Sequence, residues 1–249
     1  MRHAELKTAR ALEHLEALKV ELKRFYDSSP YTITRFDNVE SGRHVVRVQM
    51  KDVSDRTAIL AGDFVHNLRS ALDHAVFSLA VHATKAVPKK RLQWPVLETP
   101  NNETLKQQTE GVPAEAVAIM ESLQPYHQGA GDAFKRSPLW QLHKLDIIDK
   151  HRRVAIRLHG LTCHFPAAIN PRSWEIEKQE LEDGHEVNLP PVAATLEMIP
   201  DLSPGVLFGD EAEGVTLDLE QLGTLYKFVC DGVLPQFACF FTEAEAATV

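Results

Sequence analysis

Asp63, His66, Asn67, Arg69, Ser70, Asp73 and His74 stand within one short run that contains no Pro. At about 100° per residue a helix gathers them into an arc of about 160°. Leu68, Leu72, Ala75, Phe64, Ala71 and Leu79 fall on the opposite arc and are the expected packing face. A merely solvated helix face is usually rich in Lys and Glu, which favour helix and tolerate water. Neither occurs between Asp52 and Thr84. The types present instead are those used for directed hydrogen bonds and proton transfer. A guanidinium fork suits an oxyanion, and an imidazole titrates near neutral pH.

Arg69-Ser-Ala-Leu-Asp-His74 has the form R-x4-H. It resembles the signature of the HEPN superfamily, small helical bundles that include metal-independent ribonucleases of bacterial toxin and defence systems. The resemblance implies a homodimer with a cleft between subunits, RNA as the partner, and no cofactor. It further implies that Arg69 holds or polarises the scissile phosphate and that His74 moves a proton, with Asp73 and Asn67 orienting them. Lys144, Lys150 and Arg152 would meet the phosphate backbone. In active members the position after the Arg is commonly Asn, Asp or His; here it is Ser70. Gly62 to His74, taken with Leu145 to Arg152, is also similar to a group of uncharacterised bacterial proteins, a likeness that brings no function with it.

Two other readings use the same residues. The expected helix after Ser137-Pro138 carries His143, Asp146, Asp149, Lys150 and His151. Beside the first helix, Asp63, His66 and His74 with His143 or Asp149 would be a ligand set for a divalent transition metal, whose bound water serves as the nucleophile of a hydrolase. Neither HExxH nor a di-iron ExxH pair occurs. The remaining reading is a non-enzymatic binding or assembly protein, with Arg69 and Asp73 an i,i+4 pair that fixes helix geometry. No GxSxG, Gly-rich phosphate loop or dinucleotide fingerprint is present.

The elements that must position these groups are legible from periodicity. Residues 4–26 read as a helix with a broad stripe of Leu6, Ala9, Leu12, Leu15, Leu18, Val20 and Leu22. Tyr31–Arg35 and His44–Met50 read as a hairpin turned by Asp37–Gly42. Helices are expected over about 55–83, 113–123, 138–151 and 217–233. Residues 92–111 and 200–214 read as irregular. Val154–Leu158, Trp174–Leu181, Val187–Leu189 and Ala194–Ile199 read as strands, with Asp183-Gly184 a turn. The expected fold is mainly α, a bundle of about four to five helices with small antiparallel β additions, spanning 1–249 as a single domain.

Composition sets the outer limits. A 249-residue chain that is 44% apolar and 25% charged can bury a substantial core. The net charge of −8 argues against broad affinity for nucleic acid. Against that average, Lys135, Arg136, Lys144, Lys150, Arg152, Arg153 and Arg157 are opposed locally only by Asp146 and Asp149. The three cysteines have no CxxC spacing and point to a reducing, cytoplasmic setting. No leader-like or membrane-spanning apolar run is expected.

Overall fold

The computed structural model describes residues 1–38, 43–151, 156–159, 162–163, 186–189, 200–201 and 205–241. The architecture is mainly α with small antiparallel β additions. In chain order it comprises α1 (Arg2–Asp27), β1 (Tyr31–Asn38), β2 (Arg43–Met50), α2 (Asp55–Thr84), α3 (Asn102–Gln108), α4 (Ala114–Ser122) and α5 (Pro138–His151). There follow β3 (Ile156–His159), β4 (Thr162–Cys163), β5 (Glu186–Leu189), β6 (Pro200–Asp201), β7 (Gly205–Asp210), β8 (Val215–Leu217) and α6 (Leu219–Lys227). The chain divides into two compact units, one of Met1–Lys19, Arg56–Ala155 and Phe208–Val249, the other of Val20–Asp55 and Ile156–Leu207.

In the first unit α2 supplies the core. Phe64, Leu68, Ala71, Leu72, Ala75 and Leu79 are all buried, the face that periodicity assigned to packing. Each buried Leu or Phe contributes about 1.5–3 kcal/mol of apolar transfer free energy. The N-terminal part of α1 lies antiparallel to α2, since His3 meets His74, Lys7 meets Asn67 and His14 meets Asp63. The buried stripe of α1 is Ala4, Thr8, Ala11, Leu15, Leu18 and Leu22, narrower than expected. Leu6, Leu12 and Val20 are exposed instead. Small residues at the first positions let a helix approach its neighbour closely, and that approach selects the stripe over the bulkier leucines beside it.

Several segments expected to be irregular are ordered. Asn101 caps α3 by accepting from the Thr104 N–H, 3.0 Å away. Pro113 is the N-cap of α4 rather than a residue inside it. Short 3₁₀ helices, Pro125–Gln128 and Gly131–Arg136, lead into α5. Residues 205–217, mostly expected as loop, form a hairpin pairing Phe208 with Leu217 and Asp210 with Val215. Gly209 has φ +128°, and a side chain there would strike the Val215 carbonyl. Leu217 therefore ends a strand, and α6 starts at Leu219 behind a capping box of Asp218 and Gln221. A π-helical turn, Phe228–Val233, and a 3₁₀ segment, Leu234–Phe241, complete the described chain.

In the second unit the hairpin is longer than expected, with Tyr31 opposite Met50 and Asn38 opposite Arg43. β5 adds to β2, Val45 opposite Asn188. β4 pairs antiparallel with β6. The strands expected at Trp174–Leu181 and Ala194–Ile199, and the Asp183-Gly184 turn, lie outside the described residues. Among the described residues no helix is long and apolar enough to cross a membrane.

Candidate functional site

The polar arc of α2 divides between two flanking helices. On one side Asp63, Asn67 and His74 turn to α1. The Lys7 ammonium donates to Asn67 Oδ1 over 3.3 Å, His14 Nδ1 lies 3.8 Å from Asp63 Oδ2, and the His3 and His74 rings stack with centroids 5.7 Å apart. On the other side His66 and Arg69 turn to α5. Arg69 Nε lies 3.4 Å from His143 Nδ1, and His66 Nδ1 lies 3.1 Å from Asp146 Oδ1. Ser70 occupies the middle of the arc. Gly62 lets α5 come close, because a Cβ there would collide with the Asp149 carboxylate.

Arg69 is buried, its side chain 5% exposed, and its donors are directed at the protein itself. Nη1 donates to Asp73 Oδ1 and Nη2 to the Trp94 carbonyl, 2.8 Å away. Asp73 Oδ1 also accepts the Trp94 N–H at 2.8 Å. The pair thus satisfies both backbone groups of Trp94, as a neighbouring strand would. The same stretch is held further along by Gln124, wholly buried, which accepts the Leu97 N–H and donates to the Pro95 carbonyl. Trp140 Nε1 donates to Glu98 Oε1 at 2.7 Å. Residues 92–98 have no regular structure of their own, and buried side chains substitute for a ladder.

The α5 flank is electrostatically crowded. Asp146 is buried and takes His66 on one oxygen and Lys150 on the other. Burial first, and then the Arg69 charge, push His143 down to about 4, against the pull of Asp146. Burial, then the Asp146 and Asp63 carboxylates, push Asp149 up. The basic segment is largely neutralised where it is described: Lys135 pairs with Asp132, Lys144 with Glu213 and Lys150 with Asp146. Arg152, the remaining expected phosphate contact, lies outside the described residues.

The structure brings His66 and Asp146 together, but not Asp63, His66, His74, His143 and Asp149 as one set. Among the described residues no group of three or more His, Cys, Asp or Glu side chains is arranged to hold a metal ion.

A cavity of about 650 Å³ opens along the C-terminal half of the arc. Its polar lining includes His3, Ser70, Asp73, His74 and His82, and its apolar lining includes Phe77, Val81, Leu92 and Phe241. Burial, with the nearby His3 and Lys7 charges, holds His74 below its ordinary pKa of 6.5, against the Asp73 carboxylate. Sequence reasoning did not find the α1 contributors His3 and Lys7, whose register against α2 depends on helix pairing. Nor did it find Gln124, an isolated polar residue before a Pro. Compared with family models, characterised proteins and solved structures, the chain matches none.

Proposed function

We propose that this protein binds a small amphiphilic molecule in the cavity over α2, with an apolar body and an anionic or hydrogen-bond-accepting head. The observation that carries this reading is the mixed polar and apolar lining. Aromatic and aliphatic side chains share it with His3, Ser70, Asp73 and His74, the composition typical of a small-molecule site. Lys7, bonded to Asn67 and close enough to lower the His74 pKa, adds positive potential beside His74. Arg69, together with Asp73, which itself lines the cavity, holds Trp94, two residues from the lining residue Leu92.

RNA cleavage by an Arg69–His74 pair is supported less well. It requires a guanidinium free to receive phosphate, whereas this one is engaged by Asp73 and the Trp94 carbonyl within the chain. It also draws on a basic face whose described lysines already have carboxylate partners.

Phenylacetate, which has an aromatic body and a carboxylate head, is a suitable first probe. It is expected to raise the unfolding temperature of the wild-type protein in a saturable way, as a ligand selective for the folded state must. Ser78→Trp, which places an indole in the cavity, is expected to fold and to lose that response. A response of the same size in the folded Ser78→Trp protein would refute the cavity as the site.

A further inference from the structure

We propose that Ser70, His66 and Asp146 form a nucleophilic relay that hydrolyses carboxylic esters of molecules seated in this cavity, an inference that rests on the small-molecule reading above. His66 is bracketed at both ring nitrogens. Nδ1 faces Asp146 Oδ1 at 3.1 Å, and Nε2 faces Ser70 Oγ at 3.4 Å. With its proton on Nδ1 toward the carboxylate, the imidazole presents the Nε2 lone pair to the hydroxyl. That is the arrangement a general base needs, and it is recognised by geometry rather than by sequence order. The local construction fits the roles. Asp146 is anchored from α5 with its side chain 2% exposed, while His66 on α2 is 47% exposed and reachable by water. Ser70 lies one helical turn after His66 and also lines the cavity. It is therefore the point at which the relay meets a bound molecule.

Water is the only co-reactant. Ser70 Oγ attacks the ester carbonyl carbon as its proton passes to His66 Nε2. The carbonyl oxygen takes up the electron pair as an oxyanion. Collapse breaks the bond to the leaving alkoxide, which receives the proton from His66 and departs as alcohol. Water then attacks the acyl-Ser70 ester with His66 again as base, releasing the carboxylic acid and restoring the hydroxyl. Asp146 acts as a positioning residue, fixing the ring and balancing the imidazolium.

The test uses p-nitrophenyl phenylacetate as substrate and a fluorophosphonate as covalent probe, with the labelled peptide identified by mass spectrometry. Wild-type protein is expected to be labelled at Ser70 and to release nitrophenol. Ser70→Ala should lose both, and His66→Gln should lower the rate by about a thousandfold. Asp146→Asn should slow hydrolysis and shift its pH profile, a change that loss of packing alone would not produce. Absence of label at Ser70, together with equal hydrolysis by wild type and Ser70→Ala, would overturn the relay. If phenylacetate still binds in that case, the cavity reading stands; if binding is absent as well, both fall.

Discussion

Arg69→Ala is expected to destabilise the protein by about 3 kcal/mol, seen as a fall in the urea midpoint at unchanged slope. Two costs add. The substitution leaves Asp73 without its cation, and it leaves the Trp94 carbonyl without a donor in a buried setting. Removing one partner of a fully buried pair costs about 3–5 kcal/mol. The value belongs at the lower end, because the Asp73 side chain is 32% exposed and water can partly take over. Arg69→Lys should recover little. One ammonium cannot reproduce a fork that reaches a carboxylate, a carbonyl and an imidazole at once. A folded Arg69→Ala protein with an unaltered midpoint would show that the guanidinium does not support residues 92–98.

Acidification is expected to remove up to about 3 kcal/mol through His143 alone, the group whose pKa falls from 6.5 to about 4 on folding. The sign follows from proton uptake. Between pH 6.5 and 4 the unfolded chain binds the proton and the folded chain resists it, so stability is fully present above pH 6.5 and declines as pH falls. His14 and His74, also held below their ordinary values by burial, act in the same direction. Asp149, held up, acts in the opposite one. His143→Gln retains an acceptor for Arg69 Nε and removes the titration. Urea unfolding of that variant across pH 4 to 7 should therefore give a shallower pH dependence than wild type. An identical dependence would place the titration elsewhere.

The extent to which the chain could be read in advance follows from the range of each interaction. The apolar face of α2 was legible because helical periodicity is local, and Leu68, Leu72 and Leu79 are buried as the spacing requires. The hairpin of β1 and β2 was legible for the same reason. The β7–β8 hairpin was not: Glu211 to Gly214 lacks a two-residue Asn-Gly or Asp-Gly signal, and the strands are short. The polar stripe could be placed on one helix face, yet its residues could not be sorted into roles. That sorting depends on which helix lies on each side, and it separates Arg69, turned toward Trp94, from His74, turned toward His3. Asp146 was visible only as one acid of α5. Its pairing with His66 spans 80 positions and has no local signature.

The claim that the working surface lies in the cavity along α2, rather than on a basic face, is tested most directly by the ring resonances of the histidines. His3 and His74 meet in the cavity lining, whereas His127 pairs with Glu121 outside it. On titration with phenylacetate, the His3 and His74 resonances are expected to shift together and saturably while those of His127 stay fixed. Saturable binding that leaves His3 and His74 unmoved would contradict the account.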